Sequence, residues 1–223
     1  MDANPPPGSP ADDMTVLAAP RRRLADALER HADAVRGFML GGDGNIWDID
    51  LFVGGIANRS YYLVRGFLAA FDDWNVFAAA PLVRLQVDSL VRLSYAAHAP
   101  NAHSVVQQVL SGRKFRGLTD ADGKQLSDRR LVELAAEHHP WVGHVYSSGN
   151  EWVHLSKSVV LVPFDVHGDT PATLSFAFPR RGDAPESFYT NMLEAMAEAT
   201  DDILTYLDLW RRRKGLPLGE ARE

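Results

Sequence analysis

The stretch Pro81-Leu-Val-Arg-Leu-Gln-Val-Asp-Ser-Leu-Val-Arg-Leu-Ser-Tyr-Ala-Ala-His98 decides how the rest of the chain is read. Its apolar residues recur at helical spacing on two sides: Leu82, Leu85, Leu93 and Ala96 on one, Val83, Val87 and Leu90 on the other. A helix apolar over most of its circumference belongs inside a domain, enclosed by other helices. Arg84, Asp88 and Arg92 nevertheless stand at successive i, i+4 positions and form one continuous polar stripe. Such a stripe is either a solvent-facing seam or a buried site of paired charges. The sequence leaves both open.

The whole chain has 223 residues, 46% hydrophobic and 23% charged, which suits one globular domain. It contains no cysteine, so disulfides, thiolate metal ligands and a cysteine nucleophile are excluded. A formal net charge of -6 argues against a general polyanion binder, although a local basic groove for RNA remains open. No stretch approaches the roughly 20 apolar residues that cross a bilayer, and the amino end lacks the basic and apolar regions of a secretory signal. The expectation is a cytoplasmic protein with no membrane contact.

Outward from the central stretch, residues 1–19 are rich in Pro, Gly, Ala and Asp and read as a disordered tail. A first helix begins after Pro20 and carries Leu24, Leu28, Val35, Phe38 and Met39 inward, with His31 as a partly buried structural histidine. Asp48 caps a second helix running to about Phe71, with Phe52, Ile56, Leu63 and Phe67 on its inner face. Gly54 and Gly55 interrupt it, at a cost tolerable where another helix approaches closely. Asn58, Arg59 and Tyr62 beyond them either line a cavity or lie at the surface. The third helix starts near Ala80, or a turn at 76–80 leads into it, because Pro81 is unsuited to a helix interior.

Asn101 caps a short helix, and Asp120-Ala-Asp-Gly123 is an Asp-Gly turn, since the further acidic ligands of a calcium loop are missing. Asp128 caps another helix that ends before Pro140. From Trp141 a longer helix places Trp141, Val145, Ser148, Trp152, Leu155 and Val159 on its apolar side, with His144, Ser147, Glu151, His154 and Ser158 gathered beside them. The period then changes to strand-like alternation, predicting a β-hairpin at about 159–178. A final helix runs from about Pro185 to Lys214; its closing run Arg211-Arg-Arg-Lys214 suits the negative end of a helix dipole. Residues 215–223 read as a frayed tail. The fold class is therefore mainly α: one domain over 20–214, a bundle of four to five long helices with one β-hairpin inserted before the last. The helices ending at 97 and beginning at 141 should lie together.

Glu151-Trp-Val-His154 has the spacing used in carboxylate-bridged metal bundles, but such sites need two of these motifs and the chain offers one. No metal and no cofactor are expected, and no serine-hydrolase elbow or dinucleotide fingerprint occurs. Asp88, flanked by Arg84 and Arg92, would stay ionised if buried, and His154 could face it; a carboxylate that orients a histidine serves acid–base chemistry and is also a common way to satisfy a buried histidine. Arg84, His144 and Glu151 are the accompanying binding residues.

The segments Leu82-Val-Arg-Leu-Gln-Val-Asp88-Ser-Leu-Val-Arg-Leu and Tyr146-Ser, with Val-His154-Leu-Ser, resemble uncharacterised bacterial families related to the HEPN-like helical bundles. That resemblance implies a metal-independent ribonuclease of a toxin or phage-defence system, acting through an arginine and a histidine four to six residues apart. Arg92-Leu-Ser-Tyr-Ala-Ala-His98 has the gap, although Leu93 replaces a polar residue and the pair lies on the third helix. Two functions follow as expectations. One is a binding or interaction module that self-associates as a homo-oligomer. The other is the ribonuclease, with Arg92 and His98, or Asp88 and His154, at its centre.

Overall fold

The computed structural model describes residues 10–40, 44–154, 156–157, 160, 164–167, 173–176 and 186–215. The chain is mainly helical. Four long helices carry it among the described residues: α1 (Pro10–Leu40), α2 (Asp48–Asp72), α3 (Val76–His98) and α7 (Glu186–Gly215). Shorter helices α4 (Ala102–Leu110), α5 (Asp128–Ala135) and α6 (Val142–Val153) fill the passage between α3 and the strands. There Phe164–His167 pairs antiparallel with Thr173–Phe176, Phe164 opposite Phe176. Val160, expected in the first strand, is instead helical, its N–H bonded to the Ser156 carbonyl at 3.0 Å; the rest of the predicted 159–178 hairpin lies outside the described residues.

α3 is the hub, packing against α2, α4, α5, α6 and α7. Its Val83, Val87, Leu90, Val91, Leu93 and Ala96 are buried, whereas Leu85, on a side expected to be inward, is 38% exposed. Contacting pairs rise together along α1 and α7 (Arg23 with Glu198, Gly37 with Arg211), so those helices run parallel. α3 and α7 are parallel as well, and α2 is antiparallel to both α1 and α3.

Two apolar clusters make the core. One gathers Leu24, Phe67, Val83, Leu193 and Met196; the other gathers Phe38, Val87, Leu90, Ile203 and Leu207. A polar layer spans four helices where one cluster gives way to the other. His31 Nδ1–H donates to the Ala27 carbonyl (2.6 Å), so the neutral Nε2 accepts from the Ser60 hydroxyl (2.8 Å). Ser60 in turn accepts from the Gln86 amide (2.6 Å), whose second N–H donates to Thr200 (3.0 Å). Gln86 Oε1 has no partner among the described residues. Burial holds the His31 pKa below its ordinary value, which keeps the layer in this polarity.

Several expectations are corrected. α1 begins at Pro10 rather than after Pro20, with Leu17 already buried, so the tail is not 19 residues long. Pro20 and Pro81 both sit inside helices. The carbonyls they leave without a helical donor belong to Val16 and Phe77, residues 52% and 43% exposed, so the lost bonds fall on the outer side of each helix. α3 thus starts at Val76 behind the cap Asn75, which accepts from Ala78 N–H at 3.1 Å. The α5 cap is Ser127 rather than Asp128, and Trp47, not Asp48, stands before α2. Gly54 and Gly55 admit no close helix approach: a Cβ at Gly54 would meet only ordinary contacts, and one at Gly55 open space. Asp120 Oδ1 accepts from the N–H groups of Asp122 and Lys124, the geometry of the expected turn.

Candidate functional site

The polar stripe of α3 turns inward, toward α6 and α5, and its charges are paired. Asp88, 16% exposed at its side chain, lies among three guanidinium groups. Arg92 Nη1 pairs with Asp88 Oδ1, Arg84 Nη1 stands 3.5 Å from the same oxygen, and Arg59 Nη1 reaches Oδ2 at 3.2 Å. Arg59 also donates to Ser89 (3.0 Å). Arg92 extends its other nitrogen to Asp128 at 2.8 Å, at the first turn of α5.

α6 seats Arg84. The Arg84 guanidinium carbon lies 3.2 Å from the centre of the Tyr146 ring, and its Nε donates to Asn150 Oδ1 at 3.0 Å. Gly149 permits this approach, because a Cβ there would fall 2.9 Å from Arg84 Cβ. Tyr146 is buried, and its hydroxyl has no hydrogen-bond partner among the described residues. Burial raises its pKa, and the fields of Arg84, Asp128, Asp88 and Arg92 all reach it. The site thus sets two cations and two carboxylates about one buried donor that has no partner among the described residues, with Arg59 a third cation on the other oxygen of Asp88. Chemically, such a site offers charge-assisted N–H and O–H donors to an oxyanion.

The pairing of Asp88 with His154 does not form. His154 is exposed and in extended conformation just past the end of α6, while Asp88 is occupied by arginines. The helix that was to carry Glu151 and His154 on one face stops at Val153, so their spacing makes no common face. His144 and Glu151 are exposed; Leu155, Ser158 and Val159 lie outside the described residues. The error is one of rotation. Val142 and Tyr146 are the buried residues of α6, with Gly149 against Arg84, and the Trp141–Val145–Trp152 side is only half-buried.

Arg92 and His98 are not brought together either. Six residues along a helix leave side chains roughly 120° apart around its axis. Arg92 is held by Asp88 and Asp128, while His98 stacks on His138 with ring centres 3.7 Å apart. Those two imidazoles line an opening of about 400 Å³ together with Ser94, Tyr95, Asp120 and Arg130. Behind its wall runs a polar series: Asp202 accepts from His139 Nδ1–H (2.8 Å), His139 Nε2 stands 2.9 Å from the Tyr206 hydroxyl, and Tyr206 O–H donates to Ser94 (3.1 Å).

Sequence reasoning missed Tyr146 and Asn150, treated Arg59 as equally well a surface residue, and read Asp128 only as a cap. Val142, Tyr146 and Gly149 at i, i+4, i+7 are a legible stripe, but the larger aromatic side masked it. Among the described residues, no three His, Asp or Glu side chains converge to hold a metal ion, and no helix is long and apolar enough to cross a membrane. Comparison with protein families, with curated proteins and with solved structures finds no match.

Proposed function

We propose that this protein is a small cytoplasmic binding module that takes an anionic ligand at the Arg59–Arg84–Arg92 centre. The observation that carries the reading is the Tyr146 hydroxyl, buried beside a guanidinium and without a hydrogen-bond partner among the described residues. Burying a polar group unpaired is costly, and an oxyanion reaching it would pair it while drawing on cations that Asp88 and Asp128 neutralise only in part. Arg59, 38% exposed, is the most accessible of the three cations. Calorimetric titration with inorganic phosphate tests the reading. Saturable binding is expected, weakened roughly tenfold in Arg59→Gln and in Tyr146→Phe, the worth of one charge-assisted hydrogen bond. Absence of saturable heat in the parent protein refutes it. Self-association belongs to the same proposal, and light scattering that returns the mass of a single chain at high concentration would remove that part.

A second reading is favoured by the His98–His138 stack. Two histidines at one opening supply an acid and a base, which metal-free RNA cleavage can use in place of the arginine–histidine pair of the HEPN-like bundles. On this reading His138 stands where Arg92 was expected. Cleavage of total RNA in EDTA, lost in both His98→Ala and His138→Ala, would support it; intact RNA would dismiss it.

A further inference from the structure

Among the described residues, no helix covers the aromatic side of α6. α6 and α7 both pack on α3, yet between themselves they meet through side chains near the two ends of α6: Trp141 Nε1–H donates to Asp202 at 3.3 Å, and the Trp152 and Phe188 rings stand 5.3 Å apart. Between these contacts lies a slot of about 530 Å³. At helical rise it is roughly 16 Å long. Trp141, Val145 and Trp152 form one wall, Phe188 and Met192 the other, over Ala80 and Val83 of α3. The bottom is small and apolar, the walls are aromatic, and the volume is that of a small-molecule site.

The rim is not neutral. Glu194 and Glu198, one turn apart on α7, stand at its edge, opposite His144 and Ser148 of α6. Arg23 reaches both carboxylates from α1, at 3.5 and 3.0 Å, but all these side chains are 37% exposed or more, and Arg23 also pairs with Asp201. Asp201 is held by Arg30 as well, at 2.6 Å, so two screened cations shared among three carboxylates leave the edge acidic. Tryptophan faces and carboxylates together are the chemistry that recognises an organic ammonium ion: the ring quadrupole attracts the cation, and the apolar slot takes its hydrocarbon body. We propose that the α3–α6–α7 slot is a binding site for a small organic cation with an aromatic or alkyl body. It is separate from the arginine centre, which lies on the Tyr146 side of α6 and selects the opposite charge.

Titrating the full chain with benzyltrimethylammonium, and in parallel with phenylacetate, while following intrinsic tryptophan fluorescence, tests the assignment. Saturable quenching by the cation is expected, at least tenfold tighter than any response to the anion. Glu194→Gln with Glu198→Gln should weaken it several-fold, and Ser148→Trp, at an exposed position, should fill the slot and abolish it. Equal response to both probes, an undiminished response in Ser148→Trp, or no saturable change at all would overturn the proposal. So would a concentration-dependent dimer that excludes the probe, since a second chain would then fill the slot.

Discussion

The guanidinium of Arg84 lies flat enough on Tyr146 for its carbon to stand 3.2 Å from the ring centre, and this contact joins the two helices that hold the candidate site. It gives Tyr146 two separable parts. The ring packs under a cation; the hydroxyl is buried with no hydrogen-bond partner among the described residues.

Tyr146→Phe keeps the ring and deletes the hydroxyl. Urea unfolding should show a protein as stable as the parent or more so by about 1 kcal/mol, because an unsatisfied buried group is removed. Tyr146→Ala, which removes the ring as well, should lose about 3 kcal/mol. A Phe variant that is clearly destabilised would mean that the hydroxyl is paired in solution.

Two glycines predict opposite outcomes for one substitution. Gly55 faces open space in α2, so Gly55→Ala should stabilise by about 1 kcal/mol through helix propensity alone. Gly149→Ala places a Cβ 2.9 Å from Arg84 Cβ, and should lower the melting temperature and weaken phosphate binding together. Thermal melts of both variants decide the matter.

Asp88→Ala would leave Arg59, Arg84 and Arg92 facing one another around a half-buried gap. A loss of about 3 kcal/mol is expected, as for other broken buried pairs. Added phosphate should restore part of it by binding the folded form. Indifference of the variant's melting temperature to phosphate would count against an anion site.

His31 sets a pH dependence with a definite sign. Its folded pKa is lowered, first by burial, so below the unfolded value of about 6.5 the unfolded chain binds more protons than the native one. The His31 contribution is therefore intact above about pH 6.5 and is lost as pH falls through the folded pKa. Denaturant midpoints between pH 7.5 and 5 should fall in the parent, and fall less in His31→Gln, whose lower starting stability does not titrate.

Asp50 is fully buried where α2 begins. It accepts from Trp47 N–H (2.8 Å), Trp210 Nε1–H (2.8 Å) and the nearly buried Lys214 (2.7 Å). Lys214 of the terminal basic run is thus a structural ion partner of α2 as well as the end of a helix. Asp50→Asn strips the charge from this knot and should cost about 3 kcal/mol, measured by urea unfolding; Lys214→Met should cost less, because Trp210 and Trp47 still satisfy the carboxylate.

What the sequence alone determined were properties held within a few residues of themselves. Helical spacing placed α3 at the centre, Asn101 capped α4, and the charges at 84, 88 and 92 were seen to share one stripe. The same reasoning failed at Pro81, because it weighed the lost hydrogen bond without knowing that Phe77 is exposed to water. Rotation and company belong to the tertiary structure. The partners of Arg84 stand on a helix more than sixty residues later, chosen by where a glycine lets two backbones close. Gln86 is buried although polar because Ser60 and Thr200 from two other helices meet its amide. Periodicity says which side chains share a face; only packing says what that face meets, because burial energy depends on neighbours the local chain does not contain.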